Sequence, residues 1–147
     1  MKIGFISKKG AVRALIAESI ARKLLQDIGI KAEIFSAGIQ PERTTPREVL
    51  EVLKEKGYPI RSLYPKPLRK IPYKSLDIVV ILDNEIKDKC EFVISHKRRE
   101  NLHIDEPVRH TISEYREIRD KIEKELKELF GVEKEKQEKL ERKKVSK

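Results

Sequence analysis

Positions 7–13, Ser7-Lys8-Lys9-Gly10-Ala11-Val12-Arg13, gather three cations, a hydroxyl and a glycine in one short stretch. They follow an apolar run, Lys2 to Ile6, fit for a buried strand, and lead into a helical pattern. A loop so placed ends on a helix N-terminus. The first N–H groups there lack intrahelical partners and carry the positive end of the helix dipole. Such a loop is an anion site by construction. Lys8, Lys9 and Arg13 add side-chain charge, and Gly10 permits the backbone angles that a tight nest of N–H groups needs. No Gly-Lys-Ser/Thr follows, so this is not a Walker A loop. A basic surface turn in a lysine-rich chain is the competing reading.

The elements that must position this loop are legible from periodicity. After Lys2 to Ile6, the residues Val12, Leu15, Ile16, Ile20, Leu24 and Ile28 form one apolar stripe at helical spacing, with Gly29 as its C-cap. Ala32 to Phe35 reads as a second strand, closed by Ser36-Ala37-Gly38. Pro46 starts a helix at its first turn, with Val49, Leu50 and Leu53 on the buried face and Gly57 ending it. Pro59, Pro65, Pro67 and Pro72 make positions 58–76 a connector, with one helical turn over Leu68 to Ile71. Asp77 to Leu82 is the strongest strand, and its unbroken apolar run suits a central position covered on both faces. A short helix is expected over 84–90, a weaker fourth strand over Asn101 to Ile104, and a helix from Ser113 through Leu129. Strands alternating with helices predict an α/β fold, a four-stranded parallel sheet with helices on both faces. Ligands in such sheets bind beyond the carboxyl ends of the strands, where the loop 7–13 emerges.

The chain has 147 residues, enough for one domain with its own core. The expected division is a domain over 1–130 and a charged helical extension or tail over 131–147, where only Val132, Leu140 and Val145 are apolar. Net charge is +9. With 22 Lys and 19 Glu but only 2 Asn and 3 Gln, the composition is that of a thermophile protein with a mixed charged surface. That weakens nucleic-acid binding as an inference from charge. No apolar run approaches the roughly 20 residues of a membrane span, and the N-terminus does not read as a signal peptide. The single cysteine, Cys90, excludes an internal disulfide, argues for a cytoplasmic location and rules out a cysteine-ligated metal cluster. No cofactor or metal is expected.

The stretch FIS-KKGAV-RALIAE resembles the first strand, phosphate loop and helix start of the low-molecular-weight protein tyrosine phosphatases and the thioredoxin-coupled arsenate reductases. Those families carry a cysteine, five residues, then Arg-Ser. Ser36-Ala37-Gly38 resembles their SAG, Asp77 to Val80 their central strand, Asp88-Lys89-Cys90 their redox-loop segment, and His103-Ile104-Asp105-Glu106-Pro107 the segment with the acid before a proline. The resemblance covers about residues 3 to 130 and implies their fold. It places Ser7 at the nucleophile position, Arg13 at the loop arginine and Glu106 at the general acid. The whole of Ser7, Lys8, Lys9, Gly10, Ala11, Val12 and Arg13 becomes the anion cradle.

The departures from that pattern set the functional expectation. Ser7 replaces the thiol, and a hydroxyl is much harder to ionise at a helix N-terminus. Ala14 replaces the following serine. Leu82 occupies the second cysteine position of the reductase relay, so no relay can run within one chain and Cys90 is not expected to be catalytic. Pro107 is followed by Val108, Arg109 and His110 rather than the aromatics that stack on a phenol ring. His103, a candidate base, is expected to be structural. The expected function is therefore a degenerate phosphatase or arsenate-reductase relative. It would bind phosphate, sulfate, an arsenate-like anion or a phosphorylated macromolecule in loop 7–13 without efficient turnover. Two alternatives stand beside it: an active phosphatase or arsenate reductase with an atypical Ser7 site, and a basic module binding an acidic partner such as RNA.

Overall fold

The structure is a computed structural model and describes residues 1–83 and 96–132. Four strands form one parallel sheet: β1 (Lys2–Ser7), β2 (Glu33–Gly38), β3 (Leu76–Ile81) and β4 (His96–Asn101), in the order β2-β1-β3-β4. Three α-helices accompany them: α1 (Arg13–Asp27), α2 (Arg47–Glu55) and α3 (Ile112–Phe130), with a 3-10 turn at Leu68–Lys70.

Alternation along β1 divides the core. Ile3 and Phe5 face one way and pack with Val80, with α1 residues such as Ile16 and Ile20, with Val49 and Leu53 of α2, and with Tyr115 and Ile122 of α3. Ile6 faces the other way and packs with Ala37, Val79, Ile81 and Ile71, under the 3-10 turn. Helices α2 and α3 are joined by a buried arginine. Arg119 Nη1 donates to the Val52 carbonyl at 2.8 Å and to Glu55 Oε1 at 2.9 Å. Gly29 has φ +75°, and the N–H of Ile30 returns to the Leu25 carbonyl at 2.9 Å, so α1 ends on a left-handed cap as its sequence predicts. Among the described residues, no helix is long and apolar enough to cross a membrane.

Three expectations are corrected. The fourth strand is His96–Asn101, not Asn101 to Ile104. Its sequence, HKRREN, has no apolar period because it lies at the sheet edge, where Lys97 and Arg98 are exposed. Leu102 and Ile104, read as strand, are buried beyond its carboxyl end. Pro46 stands at the cap position, one residue before the helix it was expected to begin. Val132, assigned to the extension, is only 4% exposed and belongs to the larger core cluster. The short helix expected over 84–90, Cys90 and the extension beyond Val132 lie outside the described residues.

Candidate active site

All strands of a parallel sheet end on one edge. Here Ser7 is level with Gly38, and Ile6 with Ile81. The chain leaves β1 toward β2 on one side and lies against β3 on the other, so the β1–β3 boundary is the switch point where a crevice opens. A cavity of about 370 Å³ sits there, its floor and walls formed by Ser7, Gly10, Ala11, Val12 and Arg13 with Glu106 and others.

The loop's carbonyls and amides are used differently. The carbonyls of Ser7, Lys8 and Lys9 accept from the N–H groups of Ile39, Gln40 and Glu42 at 3.3, 2.8 and 3.0 Å. Among the described residues, no acceptor takes the N–H groups of Lys9, Ala11, Val12, Arg13 or Ala14. The N–H of Gly10 donates to Ser7 Oγ at 3.1 Å. Helix α1 opens at this point with no side-chain cap and no acidic residue in its first turn. The N-terminal donors and the dipole are therefore left for something else to satisfy.

Two glycines bring the loop down onto the sheet. Gly10 has φ +65°, a left-handed conformation. A Cβ on Gly38 would lie 2.6 Å from the Lys9 carbonyl carbon. The SAG segment is thus the surface on which the loop rests. Its serine has a second purpose: Ser36 Oγ donates to the buried carboxylate of Glu18, which also pairs with Arg22. That contact joins the two short motifs, SAG and the Ala-Glu of α1.

Arg13 is 4% exposed and reaches across the switch point. Its Nη1 donates to the carbonyls of Leu82 at 3.3 Å and Ile104 at 3.0 Å, and its Nη2 to Asp83 Oδ2 at 2.8 Å. These bonds take three of the five N–H donors of a guanidinium. Among the described residues, no acceptor takes the Nε–H or the second Nη2–H. The floor is Ser7, 2% exposed.

The other candidates fall as follows. Glu106 lines the cavity, and its Oε1 lies 3.5 Å from Lys9 Nζ. Lys9 sits at the mouth, also 3.6 Å from Glu42 Oε1. Lys8 is half-buried and does not line the cavity. His103 is exposed and pairs with Asp105 at 3.3 Å, so it neither approaches Ser7 nor packs in the core. Leu82 is fully buried in the core. Asp83, Glu42 and His110 were missed. Asp83 could have been found, since it directly follows the carboxyl end of the central strand. Glu42 and His110 lie in irregular segments with no local pattern to mark them. His110 holds φ +55° and its Nδ1 is 2.8 Å from the Tyr115 hydroxyl.

Comparison with known proteins gives a consistent result. The family described as low molecular weight phosphotyrosine protein phosphatase matches residues 2–146. An arsenate reductase of Bacillus subtilis is 29% identical over 133 residues, spanning 86% of this chain and 93% of that one. A low molecular weight protein tyrosine phosphatase from T. tengcongensis superposes with a TM-score of 0.79 at 20% identity, over 90% of this chain and 99% of that one. A Cys-to-Ser mutant of the YwlE arginine phosphatase, with a phosphorylated active-site serine, superposes with a TM-score of 0.75 at 21% identity, over 88% and 93% of the two chains.

Proposed function

The chain belongs to the low molecular weight phosphotyrosine protein phosphatase family, and on that premise we propose that its loop 7–13 binds a phosphate-like oxyanion, free or carried by a larger molecule, without efficient turnover. The observation that carries this reading is that, among the described residues, the N–H groups of Lys9, Ala11, Val12, Arg13 and Ala14 have no acceptor around a cavity floored by Ser7. Oriented amides at a helix N-terminus bind anions without further help. The remaining Nε–H and Nη2–H of Arg13 supply a fork that a lysine could not reproduce. Glu106 takes the place of a proton donor to a leaving group, but a serine hydroxyl without a base is a poor nucleophile. The test is titration with inorganic phosphate while following backbone amide resonances. Shifts confined to residues 8–14 are expected. If no amide in that range moves, the oxyanion reading is wrong.

A second reading is favoured by one observation. The mutant neighbour with serine at its active site carries that serine phosphorylated. By analogy Ser7 accepts a phosphoryl group slowly and holds it, a slow version of an active site. Intact-mass measurement after incubation with an activated phosphoryl donor separates the two: a mass gain of one phosphoryl group, absent in Ser7→Ala, supports the covalent reading.

A further inference from the structure

The rim of the cavity carries one residue in a conformation that its neighbours must hold. His110 has φ +55°, in the left-handed region, and lines the cavity with Glu106 and Pro107 of the same segment. Such a backbone is costly for a residue with a Cβ and persists where the surroundings fix it. Two contacts fix it here. The His110 N–H donates to Glu114 Oε1 at 2.9 Å, which sets the main chain. The ring Nδ1 lies 2.8 Å from the Tyr115 hydroxyl, and the two rings meet edge to face with centroids 6.0 Å apart.

Tyr115 decides what the other ring nitrogen offers. Its side chain is fully buried, so water does not reach the hydroxyl. Burial first, and then the Glu48 and Glu114 carboxylates, raise that hydroxyl above its ordinary 10.0, so it keeps its proton. A buried hydroxyl needs an acceptor, and among the described residues Nδ1 is the one it reaches. A neutral imidazole that accepts at Nδ1 carries its hydrogen on Nε2. Nε2 stands across the ring from the Tyr115 bond, in a residue exposed at the cavity.

A tetrahedral oxyanion seated on the loop amides turns one oxygen toward the mouth. There Lys9 Nζ is shared between Glu42 Oε1 at 3.6 Å and Glu106 Oε1 at 3.5 Å. Carboxylates so paired accept hydrogen bonds and offer that oxygen none. An imidazole N–H held in place does offer one, and its ordering is settled before the anion arrives. Resting on the oxyanion reading above, we propose that His110 is a further ligand of the bound anion, donating from Nε2 to its outward oxygen, and that Tyr115 is the positioning residue that fixes the ring and its tautomer. In this tautomer His110 is no base for Ser7, in keeping with a site that holds its anion rather than turning it over.

The experiment uses the full chain at pH 8 with inorganic phosphate as the probe. Imidazole nitrogen resonances are recorded with and without phosphate, and His110 is told from the other two histidines by the signal lost in His110→Gln. The wild type is expected to carry its hydrogen on Nε2, and saturating phosphate to move that nitrogen. By calorimetric titration, His110→Ala is expected to weaken phosphate about tenfold, the scale of one hydrogen bond to a charged group. His110→Gln, whose amide nitrogen falls near the place of Nε2, is expected to recover part of that loss. Tyr115→Phe is expected to leave two tautomers in the spectrum and to weaken phosphate by less than His110→Ala does. A hydrogen on Nδ1 in the wild type, or an Nε2 signal that ignores saturating phosphate, overturns this inference and leaves the oxyanion reading standing, whatever the variants do. Equal affinity in wild type and His110→Ala has the same consequence. If inorganic phosphate does not bind the wild type at all, both fall.

Discussion

Gly10 and Gly38 meet backbone to backbone, and the loop takes its shape from that contact. A Cβ on Gly10 would lie 2.7 Å from the Gly38 nitrogen, and one on Gly38 equally close to the loop. Gly38→Ala must therefore push the loop off the end of β2. We expect it to cost about 1–3 kcal/mol of stability, as overpacking does, and to abolish the phosphate-induced amide shifts. Unchanged shifts would show that this contact does not shape the site. Arg13 ties the strand ends together and, on the proposed reading, also binds the anion. Arg13→Ala strips the buried Asp83 of its guanidinium, which should cost about 3–5 kcal/mol of stability, and anion affinity should fall by about 1.5–3 kcal/mol. The double variant Arg13→Ala/Asp83→Ala should regain part of the stability and none of the affinity, read by thermal melts and titration side by side. On the proposed reading, Ser7 limits the chemistry. Turnover of aryl phosphates is expected to stay well below about 1 per second, and Ser7→Cys to raise it at least about tenfold. Equal rates for the two proteins would sink the degenerate reading.

Helix α3 begins on a set of reciprocal caps that also fixes the rim of the site. Thr111 Oγ1 accepts from the Glu114 N–H at 3.2 Å, and the Glu114 carboxylate accepts from the N–H groups of Val108, Arg109 and His110 at 2.9–3.1 Å. Burial works to raise the Glu114 carboxyl, but the three N–H groups together outweigh it and hold the group below its ordinary 4.5. A depressed carboxylate stabilises the fold above its unfolded value, and that contribution is lost as pH falls through the folded one. Hydrogen-exchange protection at residues 108–110, taken relative to the intrinsic amide rate at each pH, should therefore fall as pH drops below 4.5. Glu114→Gln should show fast exchange at neutral pH with little further change on acidification. A wild-type rim whose protection ignores pH would mean that the carboxylate does not hold it. The edge strand β4 is the element that periodicity missed. Lys97 pairs with Asp77 and Arg98 with Glu100 at the surface, so neither face of HKRREN shows an apolar alternation.

At the scale of the molecule, the core extends past the end of α3. Gly131 closes that helix with φ +69°, and Val132 turns back into the core. Deleting residues 131–147 should therefore cost about 1.5–3 kcal/mol more than deleting 133–147, the worth of one buried valine. Equal melting temperatures for the two truncations would place Val132 outside the cooperative unit. The sequence by itself determined the alternating strands and helices, since a continuous apolar run and a 3.6-residue stripe are local properties. It also determined the place of the loop, because a strand followed by glycine, cations and a helix start lies within a single stretch of chain. Tertiary structure alone decided what surrounds that loop. Arg13 and Asp83 are 70 residues apart in the chain, and the carbonyl of Ile104 is 91 residues from the arginine it orients. The same holds for Glu42 and Glu106, which meet only through Lys9. Such pairings leave no periodic trace, because they depend on which strand ends the sheet order brings to one edge.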